Sequence, residues 1–466
     1  IALIPEGVFG GAMGTSATYI FNFILFGAFL KASKVGNFFI DIAMALAGQY
    51  RGGPAKVAII SSGAVGTISG SVVANVLTTG SFTIPLMKKL GYNKEFSAAV
   101  EATASTGGMI MPPVMGSTAF LVAELAGVPY AELCKCALLP AVLYYLALLF
   151  MIDLEAAKNG LKGISKENLP KAWEVFKKGW FKLLPLVTLI ALIMKGYSPL
   201  KCGLYGILVT IIVSWFDKET RMGPRKILDA LVDGSINSVQ VVAACACAGI
   251  VVGLVSQTGL GFRMSSALIS LAGGSLLLSL IFCMVIGLIL GMGLTVTPAY
   301  VILAALIAPV LTRLGLLPQQ AHLFCFYYAC LCGITPPVAI GAFAAAGIAD
   351  ADPMKTGLTS VRLAGSLYII PFMFAYAPQL ILIGTVPEII QCVITSAIGV
   401  YCFSIAVEGW LFKKISIPFR LIVGVASLLC IYPGTLTDVI GLSILSVFIV
   451  FSVIKRKHDR EKPLTA

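Results

Sequence analysis

Apolar residues run through this chain in stretches long enough to cross a bilayer, and the stretches are interrupted in a way that repeats. In order, the pattern predicts a span at 15–33, an amphipathic arm at 37–48, and a two-pass apolar stretch at 56–87 with glycines in its middle. A broken helix at 94–126 and a span at 132–152 follow. A charged amphipathic stretch at 155–181 leads to two spans at 182–196 and 199–216. A span at 237–258, an arm at 262–272, a second two-pass stretch at 276–312 and a second broken helix at 318–349 then restate the first series. Spans at 359–380, 386–410, 418–432 and 435–454 complete the chain.

The two breaks are the most informative features. Segment 318–349 is mostly apolar, and as one helix it would measure about 48 Å against about 30 Å of hydrocarbon. Pro336 and Pro337 remove two amide donors and clash with the preceding turn, so the helix is expected to break there. Pro112 and Pro113 do the same in the earlier segment. Irregular backbone at membrane depth survives only inside protein or beside a water-filled cavity.

The halves align without a gap at a constant offset of 224 residues, pairing Pro85 with Pro309, Gly91 with Gly315, Pro112 with Pro336, Pro113 with Pro337, Pro129 with Pro353 and Tyr144 with Tyr368. Chance apolar identity does not put four prolines in register. The chain is therefore divided into a first repeat (1–152), an amphipathic stretch with two linker spans (153–236), a second repeat (237–380) and a C-terminal extension of three spans with a basic tail (381–466). If 56–87 and 276–312 are re-entrant hairpins, five crossings separate equivalent points and the repeats have inverted topology, as in secondary transporters.

Composition agrees. The chain is 58% hydrophobic and 12% charged, against about 25% charged in a soluble domain, and its mean hydropathy is +0.97. The net charge of +12 takes its meaning from placement. The topology leaves only Lys135, Lys195, Lys201, Arg263 and Arg313 on one face and gathers the other basic residues on the opposite one, which is then cytoplasmic. The N-terminus falls outside and the C-terminus inside. The basic loops call for no nucleic-acid partner. Twelve cysteines lie mostly in apolar runs, and Cys134-x-Cys136 and Cys245-x-Cys247 lack zinc-site spacing. The chain starts at Ile1 rather than Met, so an N-terminally incomplete chain is expected.

Four clusters converge in this picture: hairpin tip one (Gly66–Asn75, then Thr78, Thr79 and Gly80), break one (Thr103–Pro113), hairpin tip two (Gly291–Pro298) and break two (Gly333–Gly341). Ser, Thr and Asn oxygens, with carbonyls freed by the breaks, are hard ligands of the kind Na⁺ prefers. Amides at half-helix N-termini suit a substrate carboxylate. Glu101, within broken helix one, is a candidate proton or cation site; the competing reading has it facing water or a lysine such as Lys94. His322 has too few partners for a metal role, and Asp350 and Asp352 read as helix-ending turn residues. No nucleotide-binding loop and no catalytic constellation is present, so neither an ATPase nor an enzyme is expected, and no cofactor.

Three runs, GTISGSVVANVLTTGSFTIPLMKKLGY at 66–92, EATASTGGMIMPPVMG at 101–116 and ITPPVAIGAFAAAGIADADPMKTG at 334–357, resemble the large membrane subunit of tripartite ATP-independent periplasmic (TRAP) transporters. The wording is closest to the fused-permease branch that works with TAXI-type binding proteins. The resemblance covers roughly 1–380 and implies an all-α polytopic membrane protein, an inverted-repeat elevator-type transporter with two re-entrant hairpins and two broken transmembrane helices. It implies Na⁺ sites at Ser69, Ser71 and Asn75 with Thr106, Gly107 and Gly108, and at Gly291, Gly293 and Thr295 with Gly333 and Thr335. Substrate would lie between the tips, near Ser71, Asn75, Thr78, Thr295 and Thr297. The partners implied are a periplasmic binding protein, a small four-helix membrane subunit fused upstream, and an organic acid, all at a bacterial inner membrane with Na⁺ or H⁺ as coupling ion. Two alternatives stay open: a binding-protein-independent dicarboxylate:cation symporter of the same fold, and a membrane scaffold or intramembrane enzyme.

Overall fold

The computed structural model describes residues 7–432 and 434–461. Residues 1–6, 433 and 462–466, which include the start of the first repeat and the end of the basic tail, lie outside the described residues. Apart from one isolated bridge between Trp410 and Lys414, the regular secondary structure among the described residues is helical. Short α1 (Gly11–Thr15) passes through a π-helical turn into α2 (Phe21–Ala32), and α3 (Val35–Ala47) forms the arm. The first hairpin is α4 (Gly53–Ser69) and α5 (Val72–Lys89), and the first broken helix is α6 (Lys94–Ile110) and α7 (Thr118–Ala126). After α8 (Tyr130–Lys158) come amphipathic α9 (Ala172–Gly179), α10 (Leu184–Met194) and α11 (Pro199–Ser214). The second series is α12 (Pro224–Thr258), arm α13 (Leu260–Leu271), hairpin α14 (Leu276–Gly291) with α15 (Val296–Leu306) and α16 (Ala308–Arg313), and broken helix α17 (Pro318–Leu331) with α18 (Ile340–Ala349). Helices α19 (Pro353–Leu363), α20 (Gly365–Tyr376), α21 (Val386–Glu408), α22 (Ile417–Ile431) and α23 (Thr435–Glu461) finish it. Six helical stretches among the described residues are long and apolar enough to cross a membrane.

The first halves of the two broken helices are the centre of the molecule. Every residue of α6 from Phe96 to Ile110 is buried, and so is every residue of α17 from Gln320 to Leu331. They achieve this differently. Helix α6 is rich in Ala, Ser, Thr and Gly, so neighbouring backbones approach it closely. Helix α17 fills space with Phe324, Phe326, Tyr327 and Tyr328.

Helix α6 stops at Ile110, two residues before its proline pair, and α17 at Leu331, five residues before its own; both Pro–Pro peptides are cis. Each gap is closed by one backbone bond across it: Gly116 N donates to Met109 O at 3.0 Å, and Gly341 N to Gly333 O at 2.8 Å. These satisfy carbonyls that the missing proline amides would leave bare. The two series of helices also hold each other. Lys88 Nζ donates to Ala349 O and Lys94 Nζ to Asp350 O, both at 2.6 Å, so two cations beside hairpin one cap the C-terminus of α18. Asp350 takes the left-handed conformation there, and Asp352 caps α19 by accepting from Lys355 N at 2.8 Å, in keeping with their turn-forming reading.

Three boundaries differ from the sequence pattern. Helix α12 starts at Pro224 and runs 35 residues, because Arg225, Lys226, Asp229 and Asp233 lower the hydropathy of turns that are nonetheless helical. The span expected from 359 starts at Pro353 and pauses at Ala364. The second arm of hairpin two breaks at Ile307, just before Pro309; the equivalent Pro85 stays inside a continuous α5.

The C-terminal extension is fastened to α8 and α19. Ser404 Oγ donates to Ala147 O, and Phe150 stacks edge-on against Tyr401. At the helix ends Arg362 lies 3.6 Å from the buried Glu408 and 4.0 Å from Glu155, which also pairs with Lys158. Removing the cation leaves the two neighbouring acids Glu155 and Glu408 without the counter-charge they share. Arg362→Gln is therefore expected to destabilise the protein by about 1–3 kcal/mol, and the added change Glu408→Gln to restore most of it. Thermal unfolding of the two variants checks this.

Candidate functional site

Both hairpin tips reach one cavity of about 490 Å³. Tip one turns at Gly70 (φ +65°), a conformation that favours glycine, and Ser71 then starts α5 as an N-cap whose side chain accepts from Ala74 N. Tip two turns through Gly293 (φ +76°) and Thr295 begins α15. Ser117 at the head of α7 and Ile340–Gly341 at the head of α18 line the same space. Four helix N-termini thus surround the cavity: the second arm of each hairpin and the second half of each broken helix. Each brings the positive end of its dipole. Met109 and Gly333, at the ends of α6 and α17, bring helix C-termini to it as well.

Of the residues singled out by sequence, Ser69, Ser71, Thr78, Thr295, Thr297 and Gly333 line this cavity. Thr297 is tied to Thr118 by a buried 2.8 Å hydroxyl–hydroxyl bond, joining hairpin two to broken helix one. Gly341 packs so closely that a Cβ there would stand 2.6 Å from Cγ1 of Val72. Pro112, Pro113, Pro336 and Pro337 shape the breaks without lining the cavity.

The others stand behind it. Asn75 is fully buried; its Nδ2 donates to Ser62 O at 2.8 Å while Oδ1 has no hydrogen-bond partner. Thr106 bonds back to Ala102 O. Gly107 and Gly108 are contact glycines: a Cβ on Gly107 would meet the Tyr144 and Tyr145 rings, and one on Gly108 would stand 2.5 Å from the Cα of Gly66. Gly291 packs against Cys332 Sγ. Thr335 is engaged by Leu331 O and by the Tyr368 hydroxyl, both at 2.6 Å, and does not reach the cavity.

Glu101 is neither at water nor beside Lys94, whose amine is used at Asp350 O. It is fully buried among hydroxyls, with Ser62 Oγ at 2.5 Å, Thr83 Oγ1 at 2.5 Å, Thr79 Oγ1 also bonded, and Ser105 Oγ at 3.4 Å. Sequence reading missed those partners. The signal was present: Asn75, Thr79 and Thr83 recur every four residues along α5. It also missed the opposite cavity wall, made by α2 and α12. There Lys31, Lys34, Asp233, Asn237 and Gln240 line the space, with Lys31 paired to Asp233 at 3.3 Å.

This architecture shares its fold with a solved membrane protein. The solved structure of the Alcanivorax borkumensis YdaH transporter superposes with a TM-score of 0.55 at 14% identity, covering 80% of this chain and 89% of that one. The chain belongs to the tripartite ATP-independent periplasmic transporter family, DctM component, whose family model matches residues 2–389. Among curated relatives, the uncharacterized protein YgiK of Salmonella typhimurium is 24% identical over 82% of this chain and 87% of its own length. The isethionate TRAP transporter permease protein DctMQ of Oleidesulfovibrio alaskensis is 25% identical over 77% of this chain and 56% of that protein. The C4-dicarboxylate TRAP transporter large permease protein DctM of Rhodobacter capsulatus is 24% identical over 79% and 84%. The match ends near the start of α21, so the extension fastened by Arg362 and Glu408 lies largely beyond it.

Proposed function

We propose that this chain is the permease subunit of a secondary transporter that takes up a small organic acid delivered by a periplasmic, TAXI-type binding protein, with Na⁺ as a coupling ion. The observation that carries the reading is the convergence of four helix N-termini and two glycine-containing hairpin tips on one cavity. That arrangement suits an anion, because the positive ends of four helix dipoles meet there and Lys34 adds a cation to the lining. Related permeases are named for C4-dicarboxylate, isethionate and 2,3-diketo-L-gulonate, all anionic, and this chain is assigned an anion of that size. Na⁺ is assigned to tip one with break one, where the unpartnered Asn75 Oδ1 is a free ligand oxygen, and to tip two with break two.

The hairpins and broken helices form the moving body of an elevator mechanism, within two inverted repeats at 1–152 and 237–380. The wall of α2 and α12 belongs to the fixed scaffold, together with a small four-helix partner subunit. The protein sits in the inner membrane with its basic loops in the cytoplasm. Lys31 and Lys34 come from that basic side, so the cavity they line opens inward. The binding protein delivers substrate from the opposite face.

Sodium should stabilise the folded protein specifically. At free Na⁺ tenfold above its dissociation constant the gain is about 1.4 kcal/mol. The expected result is a saturable rise in thermal stability in NaCl over choline chloride or KCl at equal ionic strength, lost in Asn75→Ala. A rise common to all three salts would remove the sodium assignment.

A further inference from the structure

We propose that Glu101 carries a transported proton: its carboxyl is enclosed between hairpin one and α6 by the hydroxyls of Ser62, Thr79 and Thr83, three groups that can each reverse a hydrogen bond, so that it is loaded and unloaded without a metal ion. The inference rests on the permease reading for its role in transport, but not for its test.

Three features of the geometry point to a proton. First, no ion pair involves Glu101 among the described residues, although an ionised carboxylate at this depth is costly without a cation. Second, its partners are hydroxyls, which can donate or accept. Each has a second acceptor ready: Thr79 Oγ1 can turn to Asn75 O at 2.9 Å, Thr83 Oγ1 to Thr79 O at 3.1 Å, and Ser62 Oγ to Thr79 Oγ1 at 2.9 Å. The ionised carboxylate can draw these hydrogens in. The neutral acid can instead donate to Thr79 or Ser62, which passes its hydrogen onward. Rotating hydroxyls, with no backbone movement, accommodate both states. Third, the cradle is closed off from the cavity where the ligand would sit. Glu101, Ser62, Thr79 and Thr83 do not line the cavity, and a Cβ on Gly80 would already lie 3.0 Å from Glu101 Cγ.

The charged groups on neighbouring elements are committed elsewhere. On α4, Lys56 pairs with Asp153 of α8. Lys88 of α5 is bound to Ala349 O, Arg362 of α19 faces Phe96 and Glu408, and His322 of α17 bonds Tyr300. On α8, Glu155 is held by Lys158 and the Tyr145 hydroxyl donates to Ala104 O. Helix α18 carries no titratable residue along its length, and Lys89 of α5 and Lys355 of α19 make no ion pair with Glu101.

The proton site is linked to the cavity through α5. Asn75, Thr79 and Thr83 lie on the face toward Glu101, while Ala74, Leu77 and Thr78 line the cavity from the other side of the same helix. A shift of hairpin one that alters the cavity therefore alters the cradle. Loading forms an O–H bond on the carboxylate with a proton from water on one side; unloading breaks it and returns the proton to water on the other.

The test is infrared difference spectroscopy of the purified full chain, with the glutamate carboxyl carbons isotopically labelled to distinguish them from aspartate. The expected result is a carboxylic-acid C=O band at neutral pH that is absent in Glu101→Gln, shifts in D₂O, and disappears reversibly as the solution is made alkaline while the protein stays folded. Thr79→Val should move the band to higher frequency, since it removes a hydrogen-bond partner but leaves the carboxyl. Four results would overturn the proposal: no such glutamate band in the folded protein, a band that neither exchanges nor responds to pH, a band that Thr79→Val leaves unmoved, or a band abolished by NaCl but not by choline chloride. The last would make the cradle a sodium site. Among the described residues Glu408 is the other buried glutamate, so the spectra are also recorded in Glu408→Gln, which must keep the band; with the Thr79→Val shift this assigns it to Glu101 even if Glu101→Gln fails to fold, and no substrate is involved, so failure here leaves the permease reading standing.

Discussion

Ser71→Asp is expected to fold as the wild type does and to lose uptake. Asp and Ser are comparable N-caps, so α5 keeps its start and stability should change by only a few tenths of a kcal/mol. What changes is the field in the cavity, which Ser71 lines. A fixed carboxylate about 6 Å from a bound anion, at an effective dielectric of about 20, costs about 2.8 kcal/mol, or roughly a hundredfold in affinity. Ser71→Asn is the control: it keeps the cap and adds no charge, so it should retain most activity. Uptake into proteoliposomes, with thermal unfolding on the same preparations, separates the two effects. If Ser71→Asp transports normally, the anion does not pass tip one.

Gly108→Ala should damage the fold and transport together. Its Cβ would stand 2.5 Å from Gly66 Cα and 2.7 Å from Gly66 C, both main-chain atoms that no side-chain rotation can clear. Helices α4 and α6 must then separate, at a cost of about 1–3 kcal/mol. The same movement displaces Asn75, whose Nδ2 would lie 2.9 Å from a Cβ on Gly66. Gly347→Ala in α18 is the contrast: nothing lies within 4 Å of its Cβ, and the helix should gain about 0.5–1 kcal/mol. Melting temperatures and Na⁺-dependent stabilisation of the two variants check this. A Gly108→Ala protein with unchanged stability would mean that hairpin one does not bear on α6 as described.

How much of this was legible in the sequence depended on whether the cause was local. Pro112–Pro113 and Pro336–Pro337 break their helices through lost donors and steric clash within one turn, so the breaks could be read directly. The hairpin tips were marked by glycine, and Ser71 and Thr295 fell where N-caps belong. Features that need partners from several helices were hidden. Glu101 invited a choice between water, a lysine and a proton because Ser62 and Thr79 reach it from two other helices, α4 and α5. Thr335 looked like an ion ligand beside a break, yet its hydroxyl turns back to its own helix and to Tyr368. Helix α12 was cut short because hydropathy falls at Asp233, although that residue continues a face with Asn237 and Gln240 that lines the cavity. The polar wall it forms with α2 therefore went unread.

The most direct measurement is accumulation of labelled small organic acids, beginning with C4-dicarboxylates, in proteoliposomes that hold this permease with its partner subunit. The cognate binding protein is added outside and a Na⁺ gradient is imposed. The account predicts uptake above the equilibrium level that requires both the binding protein and the gradient, and that Ser71→Asp abolishes. Uptake that proceeds equally without the binding protein would instead identify a self-sufficient symporter. Absence of gradient-driven accumulation for every acid presented, with the wild-type protein folded and all subunits present, would contradict the central claim.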